Sequence, residues 1–179
     1  MGAKIYKSKV VLDNHRVMAS ILANAAEIFE QHKLGDHYTW SYDKYNVFGL
    51  TSPTQVFYDL FLELNEIAYE YTGAKNLWMQ SWMNNDPDHD PLQRHRHAWN
   101  WHGYISIRPH KTRTVFDDFI LKNEIGNVYI GPGMLYHKVV VDEPYPKDEP
   151  RLTIGFDLTE DPMRISENVG LIPFPRYVK

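Results

Sequence analysis

The feature that most constrains this chain is His95-Arg96-His97, joined by a third imidazole, His137, far along the sequence, and by an arginine in Arg151-Leu152-Thr153. Side chains on a strand alternate with period two, so imidazoles two apart project from one face and can reach the same metal ion. A histidine on a distant strand can close such a site, which ties separated stretches of the chain to one place.

The surroundings of these residues read as strands. His95-x-His97 lies just upstream of Gly103-Tyr104-Ile105-Ser106-Ile107, and His137 opens the β-branched run His137-Lys138-Val139-Val140-Val141. In the stretch from Arg151 to Leu158, alternation puts Leu152, Ile154, Phe156 and Leu158 on one face and Arg151 and Thr153 on the other. One face builds core and the other carries chemistry.

The first part of the chain has a different texture. A strand is expected from Lys4 to Leu12, followed by a helix N-capped by Asp13 and running to about His32, with Val17, Ile21, Ala25, Ile28 and Phe29 on its apolar stripe and Gly35 beyond its end. Residues 35–51 read as irregular and aromatic. Ser52-Pro53-Thr54-Gln55 offers an N-cap, a proline at the first helical position and a capping-box glutamine. Val56, Leu60, Phe61, Leu64, Ile67, Ala68 and Tyr71 then carry a second stripe to a stop at Gly73.

From Lys75 onward, short strands alternate with turn signals at Asn84 to Pro91, Gly131-Pro132-Gly133 and Glu143 to Pro150. Helices first and strands after predict an α+β fold whose core is a double-layer β-barrel or jelly roll, with the helices packed on a sheet. The expected organisation is one domain over residues 1–179: helical support in 1–74, a metal-binding β core in 75–160 and a tail in 161–179.

Composition narrows the chemistry. The 179 residues include no cysteine, which removes thiolate metal sites and leaves His, Asp and Glu as side-chain ligands. The formal net charge is −4 with no basic stripe, so a nucleic-acid partner is not expected. No apolar run approaches the ~20 residues that span a bilayer, and the start lacks a signal-peptide core. The expected setting is the cytoplasm, without a membrane partner.

Ser81-Trp82-Met83-Asn84, His95-Arg96-His97, the Gly-led strand from Gly126 to Pro132, His137-Lys138-Val139 and Arg151-Leu152-Thr153-Ile154-Gly155-Phe156 stand in order along the chain. Over about Leu77 to Leu158 this pattern resembles the Fe(II)/2-oxoglutarate-dependent oxygenases, specifically a small group common in marine phages and bacteria. The resemblance implies a double-stranded β-helix of the cupin-like jelly-roll kind. In it His95, His97 and His137 would hold Fe(II) at three of six octahedral positions, leaving two for bidentate 2-oxoglutarate and one for O2. Arg151 would pair with the C5 carboxylate of 2-oxoglutarate through its planar fork, and Thr153 would add a hydrogen bond. Tyr104 would donate its hydroxyl to the same carboxylate or serve a structural role.

The implied activity is oxidation, most simply hydroxylation, of a small-molecule or peptide substrate, with 2-oxoglutarate converted to succinate and CO2. For a phage-encoded chain the setting would be the host cytoplasm. Neither the substrate nor the oligomeric state is named by the sequence.

One departure from the family pattern concerns His97, where most of the superfamily has an acid. Three neutral imidazoles leave the full +2 charge on the metal, to be balanced by the 2-oxoglutarate dianion or by an acid such as Asp88, Asp90 or Asp117. Ala98 and His102-Gly103 also replace the usual Pro and Ser-Gly. On the substrate side the candidates are Asn84, Trp101, His102 and Trp40. Five residues from His97, His102 has the opposite parity in a regular strand, so it is expected behind the ligands or facing substrate.

Tyr38, Trp40, Tyr42, Tyr45 and Phe48 form either a substrate lid or a wrapped loop, and Trp82, Trp99 and Trp101 either core or pocket wall. Two other functions fit parts of the pattern. A three-histidine cupin-like metalloenzyme without 2-oxoglutarate accounts for His97 but leaves Arg151 in need of another anion. A non-enzymatic β-sandwich interaction or virion protein would carry incidental histidines or a closed structural metal site.

Overall fold

Polar and apolar residues alternate along most of the strands, and this alternation sorts the molecule into layers. In the computed structural model, which describes residues 2–30, 45–86, 93–162 and 170–177, the elements follow the order β1 (Lys4–Lys7), α1 (Lys9–Glu30), α2 (Val47–Thr51), α3 (Gln55–Thr72), β2 (Leu77–Asp86), β3 (Trp101–Arg108), β4 (Thr112–Phe116), β5 (Ile120–Lys122), β6 (Asn127–Pro132), β7 (His137–Val141), β8 (Arg151–Thr159) and β9 (Ile172–Phe174). Six strands form one sheet in the order β1-β6-β3-β8-β2-β9 and three form a second, β5-β4-β7. Every pairing is antiparallel.

One face of the larger sheet carries Met79, Met83, Ile105, Ile107, Val128, Ile130, Leu152, Ile154, Phe156 and Leu158, which form a single core with Met18, Leu22, Leu60 and Leu64 of the helices. The four apolar residues of β8 have no exposed surface. The opposite face is covered by the small sheet, where Tyr104 and Tyr129 cluster with Phe116 and Leu121. The region that positions the chemistry lies between the two sheets.

The helices begin elsewhere than the sequence suggests. The Ser8 hydroxyl accepts a hydrogen bond from the Val11 amide (3.0 Å) and donates to Glu63 of α3, whose other oxygen accepts from the Lys9 amide (2.8 Å). That cap ends the first strand at Lys7 instead of Leu12 and starts α1 at Lys9, before Asp13. The buried stripe is accordingly Val11, Met18, Ala19, Leu22 and Ala26, while Val17 is 55 % exposed.

Residues 47–51 are helical, not irregular: the Asn46 side chain caps α2 by accepting from the amides of Phe48 and Gly49. Ser52 closes α2, and the N-cap of α3 is Thr54. The α3 stripe runs as expected through Leu60, Phe61, Leu64, Ile67, Ala68 and Tyr71, with Phe57 buried where Val56 was expected. Gly73 ends it at φ 65°, a left-handed conformation suited to glycine.

Further differences concern turns and the aromatic segment. Asn84 belongs to β2, and Gly131 and Pro132 belong to β6, so the turn falls at Gly133-Met134. Phe48 packs edge-on against Phe61 in the helical core, centroids 5.7 Å apart, and is no lid. Ile28 and Phe29 as stripe residues, Gly35, Tyr38, Trp40, Tyr42, Asp88 and Asp90 lie outside the described side chains. No described helix is long and apolar enough to cross a membrane.

Candidate metal centre between the sheets

The backbone brings the two ends of the histidine pattern together. His95 and His137 form an isolated antiparallel bridge, His137 N to His95 O at 2.9 Å and His95 N to His137 O at 3.0 Å, and the His97 amide donates to Gly133 O at 2.9 Å. Residues 95–97 are thus fastened to the turn that leads into β7, although they form no regular strand. The rings of His95, His97 and His137 have centroids 4.5 to 5.4 Å apart. One ligand nitrogen from each lies within 4.8 Å of the others.

The tautomers follow from the partners. His95 Nδ1 contacts Gln93 O at 2.7 Å and His137 Nδ1 contacts Leu135 O at 3.1 Å. A carbonyl oxygen only accepts, so both Nδ1 atoms carry the proton and Nε2 keeps the lone pair that can ligate a metal. Burial holds His95 below the usual imidazole range. Burial, reinforced by the neighbouring His102, pushes His137 down to about 2. Both are neutral at physiological pH, as metal ligation requires.

Two further residues join the cluster. Asp157 is fully buried and accepts from His97 Nδ1 at 3.0 Å through one oxygen and from His102 Nδ1 at 2.9 Å through the other. Although its burial opposes ionisation, the hydrogen bonds from His102 and His97 hold its carboxyl at about 2. Burial, reinforced by the neighbouring His97, pushes His102 down to about 4. The rings of His97 and His102 stack at 3.8 Å and 7°. Trp82 covers them at 5.5 and 6.0 Å. Its indole lies across Gly155, where an added Cβ would come within 2.4 Å of the ring.

The parity argument for His102 does not apply, because Ala98 to Asn100 bend before β3 begins. On β3 itself His102 lies opposite Asp157, sharing a face with Tyr104 and Ser106, whereas Trp101 packs against the helix-side core. Of the two alternatives for Trp101, core or pocket wall, the structure takes the core, away from the substrate side where it was a candidate. Asp117 is not the balancing acid either: it pairs with Arg94 at 2.6 Å on the surface. Asp157 was missed, though its signal was present, since it has the parity of Arg151 and Thr153 on the same strand.

Arg151 opens β8 as expected and is 5 % exposed. Its Nε is buried without a hydrogen-bond partner among the described residues. Desolvation lowers its pKa, against the fields of Asp86, Tyr145 and Tyr104. Thr153 is buried beside it, and Asn84 Nδ2 donates to Thr153 Oγ1 at 3.1 Å. The Tyr104 hydroxyl is engaged with Thr114 Oγ1 (2.9 Å) and Asn123 Oδ1 (3.0 Å) of the small-sheet side, which favours its structural alternative.

No family model and no curated protein matches this sequence. Solved structures do match. The non-heme α-ketoglutarate-dependent carbocyclase SnoK from nogalamycin biosynthesis aligns over 99 % of this chain and 89 % of its own, with TM-score 0.56 and 11 % identity. The non-heme α-ketoglutarate-dependent epimerase SnoN from the same biosynthesis aligns over 88 % of this chain and 76 % of its own, with TM-score 0.54 and 10 % identity. A second SnoN structure, in complex with Fe3+, α-ketoglutarate and nogalamycin RO, gives TM-score 0.53 at 10 % identity, covering 88 % of this chain and 78 % of that one. At these identities the likeness is one of fold: the helices and antiparallel sheets of this chain are arranged as in non-heme α-ketoglutarate-dependent enzymes.

Proposed function

We propose that this chain is an Fe(II)- and 2-oxoglutarate-dependent oxygenase with a double-stranded β-helix core, acting on a small-molecule or peptide substrate. (2-Oxoglutarate and α-ketoglutarate are the same compound.) The observation that carries this reading is the buried guanidinium of Arg151 on the strand that also supplies Asp157 behind the histidine cluster. A buried cation of this kind calls for an anion, and a planar guanidinium matches a carboxylate in two-pronged fashion.

The donor set fits the implied metal. Three imidazoles with Nδ1 protonated and no thiolate suit iron and leave coordination positions for exchangeable ligands. His95, His97 and His137 would hold Fe(II), and Arg151 with Thr153 would hold the distal carboxylate of 2-oxoglutarate. When bound, the metal and cosubstrate supply the oxidising chemistry through O2. The protein's own residues fix positions: the His95–His137 bridge sets the spacing of two ligands, Asp157 orients His97, and Trp82 with the facing sheets shields the cluster from water.

The test is succinate release from 2-oxoglutarate by purified protein with Fe(II) and O2, alone and with a panel of small-molecule and peptide substrates. Stimulation that depends on Fe(II) and is lost in Arg151→Ala supports the reading. A three-histidine enzyme that uses no 2-oxoglutarate gains from one observation, the lack of a carboxylate among His95, His97 and His137. It predicts metal binding with no affinity for 2-oxoglutarate.

A further inference from the structure

Asp157 is the only carboxylate among the described residues within ion-pair distance of the histidines, and it touches two of them. Its oxygens divide between His97 Nδ1 at 3.0 Å and His102 Nδ1 at 2.9 Å. A buried carboxylate only accepts, so both imidazoles must present an N–H, which fixes both as Nδ1–H tautomers. The parallel stacking of the two rings, 3.8 Å apart, and the indole of Trp82 across them hold that arrangement from the side. His97 alone belongs to both donor groups, the one with His95 and His137 and the one with His102 and Asp157.

We propose that Asp157 is the positioning residue of this centre: it locks His97 with Nε2 free of its proton for the metal and supplies, one imidazole behind the ion, the negative charge that the three-histidine ligand set lacks. The inference rests on the metal reading of His97 given above. It assigns the second donor group as the support of the first and makes His102 a second donor to the same carboxylate, outside the ligand set. The two N–H donors satisfy both oxygens of a carboxylate that has no exposed surface. An orienting carboxylate behind a metal-ligating histidine is typically worth ~10–100-fold in metal affinity.

Asp157→Asn tests this with little change of shape. A carboxamide offers one acceptor oxygen and one donor NH2, so it can serve only one Nδ1–H and must drive the other imidazole to the Nε2–H tautomer. Long-range 15N–1H correlations on metal-free protein read the tautomers without any metal or turnover. Wild type should show His97 and His102 both as Nδ1–H, and Asp157→Asn should show one of them switched. Finding either histidine as Nε2–H in wild type, or no switch in a folded variant, overturns the proposal.

Co(II) titration by calorimetry then reads the metal. Affinity should fall ~10–100-fold in Asp157→Asn, and His102→Phe, which leaves Asp157 on His97, should lower it far less than His97→Ala does. Unchanged affinity in Asp157→Asn, or equal losses in His102→Phe and His97→Ala, contradicts the assignment. A wild-type protein with both tautomers fixed but no Co(II) uptake overturns the metal reading of His97 itself, an outcome distinct from failure of the tautomer lock.

Discussion

The two faces of the six-stranded sheet are built from the same strands and do opposite things. On β8, Leu152, Ile154, Phe156 and Leu158 turn to the helices, and Arg151, Thr153 and Asp157 turn to the small sheet. The helix side contains apolar groups whose burial is favourable without partners. The inner side buries Arg151, Asp86 and Asp157, several hydroxyls and a set of imidazoles, each of which needs a partner or a ligand. Stability resides on one face and binding on the other, separated by a single residue step.

That contrast can be broken most strongly from the helix side. Phe156→Ala should destabilise the protein by about 3–5 kcal/mol, read by urea unfolding, because it empties a fully buried site. The folded fraction should still take up metal. Next in size, His97→Ala should weaken Fe(II) binding by more than ~100-fold, since an orienting partner alone is worth ~10–100-fold, while the urea midpoint of the metal-free protein moves little. A large stability loss in this variant would mean that the inner face also carries the fold.

Arg151→Ala should lower 2-oxoglutarate affinity by ~10–100-fold, the range for hydrogen bonds to charged groups of about 1.5–3 kcal/mol, with Fe(II) affinity nearly unchanged. Lys in its place keeps the charge but loses the fork, so it should rescue only in part.

Acid should act mainly on the inner face. His102 is held at about 4 against an ordinary 6.5, so below 6.5 the unfolded chain binds a proton that the folded chain refuses. Stability is fully present above pH 6.5 and is lost as the pH falls toward 4. Asp157, held at about 2 against 3.8, contributes stability above 3.8 that is lost as the pH falls through 2. The melting temperature of metal-free protein should therefore drop from pH 7 to pH 4.5, with a smaller drop in His102→Phe. The smallest effect is expected at the edge of the site, where Asn84→Ala removes one hydrogen bond to Thr153 and should cost about 0.5–1.5 kcal/mol in urea unfolding.

The same division explains what the sequence could and could not reveal. The alternation of β8, the His137 strand and the α3 stripe are local patterns with one period each, and they stand as read. The start of α1 was misplaced because Ser8, whose cap depends on Glu63 in another helix, looks like the middle of a strand, and of its expected stripe Ile21 packs on the core while Val17 is exposed. Parity counted from His97 could not place His102, because the chain bends at residues 98–100. Asp157 shows its parity with Arg151, but its role depends on two histidines from other segments, and that convergence appears only in three dimensions. Phe48 shows how an aromatic segment that looks like a lid can be drawn into a core once a cap such as Asn46 makes it helical.

The central claim is that the inner face is a metal and 2-oxoglutarate site, and anaerobic titration of the metal-free protein tests it most directly. Fe(II) followed by 2-oxoglutarate, monitored by calorimetry and by the charge-transfer absorption of a chelated 2-oxo acid, should give one metal per chain. 2-Oxoglutarate should bind tightly only after the metal, lose affinity in Arg151→Ala, and show no absorption band in His97→Ala. Failure to take up Fe(II), or 2-oxoglutarate binding that neither the metal nor Arg151 affects, would contradict the account.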